Sequence, residues 1–322
     1  MAKGHPDLPK GVARVYSKKN ILDELIKLDN DSDCRDRVLK MENKFRETMG
    51  NHVGSLPEND AVFKKFNTSP FVLMIHSLKR KYSRISEIEN DILPAKEFSS
   101  METSAGRMTE VITLPIYGWE TVESEMHTAN SALDGKKIEG EVLKLVTLKS
   151  GPRCLNDEMS ENFADAIIQN ATSWANDNGV SKIEFTYGVL YGTEKLSNKK
   201  DWHILRNLMD KLPEGSFTEL PKKKWRCSFV LDGVEVDVTV RIGDDWWEYL
   251  GGEHCLLELC ISLIRACVEL GHEDPADYKY NISDLREIVA YQSQDGFNIS
   301  LLQKSQIPWL FFLLRHFCDT YE

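Results

Sequence analysis

The sequence has no apolar run near the roughly 18 residues that a membrane-spanning helix needs. Its longest candidate, Ile307 to Leu314, is short and stands beside charge, so it reads as a buried helix. Met1 to Lys10 carries Pro, Gly and charge without an apolar centre, which excludes a signal-peptide reading of that stretch. No membrane partner is expected, and the expected compartment is the cytoplasm. The seven cysteines include no CxxC pair, so zinc-ligand spacing is missing. Their odd number, in a chain this long, argues against a disulfide framework, and reduced, mostly buried thiols are expected. The eight histidines form no HExxH or HxH pair. No GxSxG elbow surrounds Ser150, and the loop with Gly188, Gly192 and Lys195 lacks GxxxxGK[ST]. Zinc-protease, serine-hydrolase and P-loop chemistry therefore lose their signatures. Internal repeats and low-complexity tracts are also missing.

Positive charge is in short supply: 40 Lys and Arg face 51 Asp and Glu, for a net charge of −11. That balance opposes a nucleic-acid partner overall. It leaves local binding open, because a metal nuclease must gather acids at its own site. The basic residues are grouped as Lys79, Arg80, Lys81 and Arg84; Lys199 and Lys200; and Lys222, Lys223, Lys224 and Arg226. Solvated faces are the ordinary reading of such groups.

What is present describes a folded chain. Hydrophobic residues make up 41% of the 322 and charged residues 28%, which excludes wholesale disorder. The length suits one large domain with an added arm, or two smaller ones. Ile21, Leu22, Leu25, Ile26 and Leu28 recur at helical spacing, as do Phe71, Leu73, Met74, Ile75 and Leu78. Pro57, Pro70 and Pro94 punctuate this helical region, and a further helix is predicted over Ser104 to Tyr117. The texture then changes. Ala129 to Asp134 and Val142 to Lys149 read as strands, with Asp134-Gly135 beginning the turn between them. Asn156 to Trp174 reads as a helix and Lys182 to Tyr187 as a strand. Cys227 to Leu231 and Val234 to Val240 flank Asp232-Gly233, a strong hairpin signal. Trp246 to Leu270 and much of the last fifty residues read as helical. The sum is an α/β (α+β) core with a mixed central sheet flanked by helices and an N-terminal helical arm. The expected divisions are an arm over 1–100, a core over 101–270 and a C-terminal helical extension over 271–322.

The stretch from Ser131 to Glu161 carries the chemistry. Alternate residues of a strand share a face, which puts Leu143, Leu145, Thr147 and Lys149 together. A lysine ending an apolar face needs a partner, because burying its ammonium unpaired is costly. Asp134, one hairpin earlier, can lie alongside it. An acid and a lysine beside a divalent cation suit phosphodiester cleavage: carboxylates hold Mg²⁺, and the lysine orients the attacking water or offsets developing charge. A second acid two residues before the lysine would complete the pattern, but Thr147 stands there. The next helix offers Glu158, Glu161 and Asp165. Its apolar stripe runs through Met159, Phe163, Ile167, Ala171 and Trp174, and Glu161 falls at the stripe's edge, so Glu161 is preferred. The plainer alternative makes Lys149 a strand-end lysine, Asp134 a turn residue and Glu161 a surface acid.

Leu148-Lys149-Ser150-Gly151-Pro152, followed by an Asn and an acidic helix, resembles the active-site strand of a group of bacterial type II restriction endonucleases of the PD-(D/E)xK superfamily. Gly106-Arg107-Met108-Thr109-Glu110 is similar to that group's helix before the catalytic strands. Tyr187-Gly188 resembles the end of its post-catalytic strand, and Gly243 to Gly252 its downstream Trp- and Gly-containing helix start. The resemblance spans about Ser104 to Leu257. It implies a restriction-endonuclease-like core, a Mg²⁺ cofactor and double-stranded DNA as substrate. It further implies a homodimer, a bacterial cytoplasmic setting and a cognate DNA methyltransferase as genetic partner. Asp134 then matches the first acid, Lys149 the lysine, and Glu110 a helix glutamate that sometimes adds a metal contact. Thr147 departs from the pattern, which is why Glu161 is carried as catalytic and metal-holding. For DNA contact, Arg153, Asn156, Lys195, Asn198, Lys199 and Lys200 suit reading of base edges in the major groove near the site, and Lys222, Lys223, Lys224 and Arg226 suit phosphate. The alternatives are a catalytically decayed DNA-binding protein and a non-specific repair or effector nuclease.

Overall fold

The computed structural model describes residues 15–56, 69–122, 132–197, 200–213, 215–221, 224–268 and 299–318. Among these, helices α1 (Lys18–Asn30), α2 (Ser32–Gly54), α3 (Pro70–Arg80) and α4 (Ile85–Ile116) precede the sheet. Then come β1 (Glu120–Thr121), β2 (Gly135–Glu139), β3 (Val142–Lys149), α5 (Asp157–Asn178) and β4 (Lys182–Val189). The chain continues through α6 (Lys200–Lys211), β5 (Phe217–Leu220), β6 (Lys224–Leu231), β7 (Val234–Ile242), α7 (Asp244–Gly251), α8 (Cys255–Cys267) and α9 (Ile307–Leu314). No described helix is long and apolar enough to cross a membrane.

The strands form one seven-stranded sheet in the order β1-β2-β3-β4-β7-β6-β5. The central three, β3, β4 and β7, run parallel, and antiparallel partners close both sides. The chain is thus α/β with a mixed sheet flanked by helices. Central parallel strands are covered on both faces and read as nearly continuous apolar runs, as β3 and β4 do. One face carries Leu143, Leu145, Phe185, Tyr187 and Val238 against α5 and α6. The opposite face carries Val146 and Leu148 against α4, α7 and α8.

Three sequence expectations change here. Asp134-Gly135 is not the turn: β2 begins at Gly135, and the reversal lies at Gly140-Glu141, with Gly140 at φ 61°. Only glycine enters that region without Cβ strain, and the apolar pattern alone does not reveal it. Pro94 does not end a helix, since α4 runs unbroken from Ile85 to Ile116 with Pro94 and Pro115 inside it. Glu87 secures its start, accepting from the backbone N–H groups of Ser83 (2.8 Å) and Arg84 (3.0 Å). The Asp232-Gly233 hairpin forms as expected, with both residues at positive φ between Leu231 and Val234. The Trp246 helix is divided at Gly251–Gly252 into α7 and α8. All seven cysteines are free; Cys154 and Cys267 are exposed and the other five buried.

The segment expected as an arm shares its core with the C-terminal helices. Val38, Met41 and Phe45 of α2 bury with Ile261, Leu302 and Leu310. Arg37 donates twice to the buried Glu258 carboxylate, at 2.8 and 2.7 Å, and the Tyr117 hydroxyl donates to it at 2.6 Å. Arg265 reaches back to Glu42 at 2.6 Å. Buried charge persists only when paired in this way. α3 is different: none of its residues is buried.

Candidate active site at the end of strand β3

The helix α4 reaches the sheet because Gly106 lacks a side chain. A Cβ there would stand 2.9 Å from Ser150 Cβ, closer than packing allows. One turn further, Glu110 enters the space beside Asp134 and Lys149. Asp134 is fixed by its backbone and its side chain together. Its N–H donates to the Val146 carbonyl at 2.8 Å, and its carbonyl accepts from the Val122 N–H at 3.0 Å. Its Oδ2 accepts the Leu148 N–H at 2.6 Å, which ties the carboxylate to the edge of β3. The N–H and C=O of a strand residue project from one edge, so the Leu148 carbonyl points to the same side, beyond the last β2 pair at Gly135 and Val146. That directs the Leu148 carbonyl to the edge of β3 on which the Asp134 carboxylate lies.

Lys149 ends β3 opposite Val189 of β4. Its face is the one expected, shared with Leu143, Leu145 and Thr147. Its ammonium lies 5.5 Å from the ring centroid of Phe163 on α5, a cation–π position. Thr147 is buried, and its hydroxyl donates to the Ala132 carbonyl. The residue that departs from the acid pattern therefore braces the backbone two residues before Asp134.

Burial dominates the electrostatics of both acids. Burial and the neighbouring Asp134 push the Glu110 carboxyl up to about 7, while Lys149 and Arg107 oppose. Asp134 is also raised above the ordinary carboxylate range by burial, although the Leu148 N–H and Lys149 favour its anion. One ammonium does not balance two half-buried acids.

No protein-family profile matches the chain, and no curated protein shows significant similarity to it. The chemistry must then be read from the residues. Among the described residues, no three His, Cys, Asp or Glu side chains gather as a metal-holding group. Glu110 and Asp134 are the two carboxyls that lie near each other there.

Of the expected site residues, the structure brings Asp134, Lys149 and Glu110 together. Glu161 is directed elsewhere: its side chain is 63% exposed and stands 3.8 Å from Lys211 of α6, next to the ion pair of Asp165 with Lys211. The physical reason is helical phase. Phe163 packs on Tyr187 and faces Lys149, and two residues along a helix turn Glu161 about 200° away. Arg153 is exposed, with its Nε–H donating to the Leu196 carbonyl at 3.3 Å, and Lys195 is exposed in the loop after β4. Asn156 serves as the N-cap of α5, its Oδ1 accepting the Met159 N–H at 2.7 Å. Lys200 opens α6. Asn198, Lys199, Lys222 and Lys223 lie outside the described residues. Lys224 pairs with Asp245, and Arg226 stands 3.9 Å from Asp237. These last two occupy the sheet face opposite Lys149, three strands away.

Sequence reasoning missed two contributors. Phe163 packs against the core as its place in the apolar stripe predicts, and its ring also stands beneath the Lys149 ammonium, a role the stripe alone does not signal. The Leu148 carbonyl has no sequence signal, because backbone direction follows from pairing alone.

Proposed function

We propose that this chain is a Mg²⁺-dependent DNA endonuclease with Asp134, Glu110 and Lys149 at its cutting site. The observation that carries this reading is the mutual approach of Glu110, Asp134 and Lys149 at the carboxyl end of a central parallel strand. Two carboxyls raised chiefly by burial fit a divalent cation, which would lower both. Magnesium binds proteins through one or two carboxylates and keeps several waters, so two acids suffice.

A bound Mg²⁺ would polarise the scissile phosphate and lower the pKa of an attacking water. Asp134, pinned by the Leu148 N–H, presents one oxygen in a fixed direction. Glu110 supplies the second from α4, in the place the sequence pattern left at Thr147. Lys149, held over Phe163, orients the attacking water or offsets charge developing on the phosphate. Exposed Arg153 and Lys195 stand near the same end of the sheet, where DNA phosphates would approach.

The LKSGP strand, the helix before it and the strand after the crossing helix favour a restriction-type enzyme within that superfamily, cutting at a defined sequence in double-stranded DNA. The order helix, antiparallel strands, crossing helix and parallel strand suits a restriction-endonuclease-like core. A bacterial cytoplasmic enzyme with a cognate methyltransferase belongs to the same proposal, and a neighbouring methyltransferase gene would support it.

The test is incubation of the full chain with plasmid and phage DNA and Mg²⁺, with EDTA as control. Discrete metal-dependent fragments are expected; a smear would indicate a non-specific nuclease. Lys149→Ala and Asp134→Asn should each lower cleavage by on the order of 10²–10³-fold, while Lys149→Ala still shifts DNA on a gel. Full cutting by either variant removes the mechanism. Thr147, occupied with Ala132, favours a second reading: a DNA-binding protein without cutting activity, seen as a gel shift with no fragments.

A further inference from the structure

We propose that α3 is a docking helix that lies on an anionic lipid surface. On α3, Phe71, Met74, Ile75 and Leu78 recur at i, i+3, i+4 and i+7, the spacing of one helical face. Such a face belongs in a core, yet no residue of the helix is buried, and Phe71 is 78% exposed and Leu78 80%. A contiguous apolar patch on a folded surface marks contact with a protein or a membrane.

Helical phase shows which side α3 gives to the rest of the protein. At about 100° per residue, His76 and Arg80 fall on the side away from the stripe. There Arg80 Nε reaches Asp91 of α4 at 2.9 Å and His76 Nε2 reaches it at 3.3 Å, while the Tyr82 hydroxyl donates to the same carboxylate. α3 is thus held to α4 through its polar side, and those contacts turn the stripe outward.

Charge around the stripe decides the occupant. From Pro70 to Arg84 the chain holds four cations, Lys79, Arg80, Lys81 and Arg84, and no acid, against a net charge of −11 for the whole. Lys79, Lys81 and Arg84 are exposed. The acids that follow are engaged: Glu87 accepts from the Ser83 and Arg84 N–H groups, and Asp91 holds Arg80. Lys79 falls about a quarter turn from the stripe, where its stem can lie along the apolar surface and its ammonium stay at headgroup level. An apolar stripe flanked by cations is the pattern of a helix lying in the plane of a membrane interface, its apolar side against acyl chains and its cations at anionic headgroups. Eleven residues make α3 about 16 Å long, so it rests on the surface without crossing. The expectation of no membrane partner rested on spanning runs, and this mode needs none. A DNA duplex would take the cations and leave the stripe in water, and a second copy would cover the stripe and leave the cations unused. A lipid surface takes both. Nothing in this placement depends on the nuclease reading.

The experiment is flotation of the full chain with large unilamellar vesicles in EDTA, without DNA. Co-flotation is expected with equal parts of phosphatidylcholine and phosphatidylglycerol, and little with phosphatidylcholine alone. Ile75→Glu with Leu78→Glu should leave the chain at the bottom of the gradient, and Phe71→Ser, at the far end of the stripe, should weaken flotation. Lys79→Gln with Lys81→Gln should weaken partitioning by about 30-fold, at roughly 1 kcal/mol for each cation near an anionic surface. Each variant should keep the wild-type thermal midpoint by circular dichroism, since none of these side chains is buried. A wild-type chain that stays down with both vesicles overturns the proposal, as does flotation that Ile75→Glu with Leu78→Glu leaves intact. A DNA gel shift that the lysine pair abolishes, without flotation, gives the cations to nucleic acid. A dimer that the apolar pair splits, without flotation, gives the stripe to a second copy. Either of these results overturns it as well.

Discussion

Replacing Glu110 by Gln tests the charge balance of the site directly. The side chain keeps its size and loses its charge. In the folded protein the carboxyl ionises near pH 7 in place of its ordinary 4.5, with burial the main cause and Asp134 the second. The folded pKa is raised, so this group favours folding fully below pH 4.5. That advantage is lost as pH rises, and above 7 the buried anion costs on the order of 3 kcal/mol. The site is partly open to water, which roughly halves the figure. Glu110→Gln should therefore raise the thermal midpoint at pH 8 by about 2–3 °C and leave it nearly unchanged at pH 4.5. Magnesium should act in the opposite sense. At ten times its Kd it stabilises the wild type by about 1.4 kcal/mol at pH 8, and Glu110→Gln should lose most of that gain. Scanning calorimetry at the two pH values, with and without Mg²⁺, reads all four quantities. A variant less stable than wild type at pH 8, or one with an undiminished Mg²⁺ response, would refute the reasoning.

Two further outcomes follow from placement. Glu161→Ala should leave cleavage within about threefold, while Glu110→Ala lowers it by about 100-fold, or 2.7 kcal/mol; the reverse ranking returns the second acid to α5. Glu258→Ala strands Arg37 and the Tyr117 hydroxyl between α2, α4 and α8, so urea denaturation should show a loss of about 2–3 kcal/mol, and a loss under 1 kcal/mol would mean the pair is incidental.

Much of the site was legible because strand geometry has a fixed period. Alternation put Leu143, Leu145, Thr147 and Lys149 on one face, and the structure keeps them there. Asp134 was placed near Lys149 for a partly mistaken reason: it immediately precedes β2 and is not the turn. The register that seats it against Leu148 depends on a reversal at Gly140, and the local pattern offered Asp-Gly as the stronger turn. Glu161 shows the limit of helical phase read alone. It was preferred because Asp165 was expected farther toward solvent, yet the Glu161 side chain is 63% exposed against 39% for Asp165, and both face Lys211 of α6.

The sequence by itself determined the α/β class, the crossing helix, the Asp232-Gly233 hairpin and the lysine at the end of an apolar strand. These depend on periodicity and turn chemistry, which act over a few residues. Tertiary structure decided which acid joins Asp134. Glu110 lies 24 positions earlier in the chain, and only the close approach of Gly106 to Ser150 carries it there. It also decided that α2 packs with α8 and α9, and that α3 keeps its apolar face outward. Burial depends on what remains to cover a surface once every other element has docked, and no local pattern encodes that remainder.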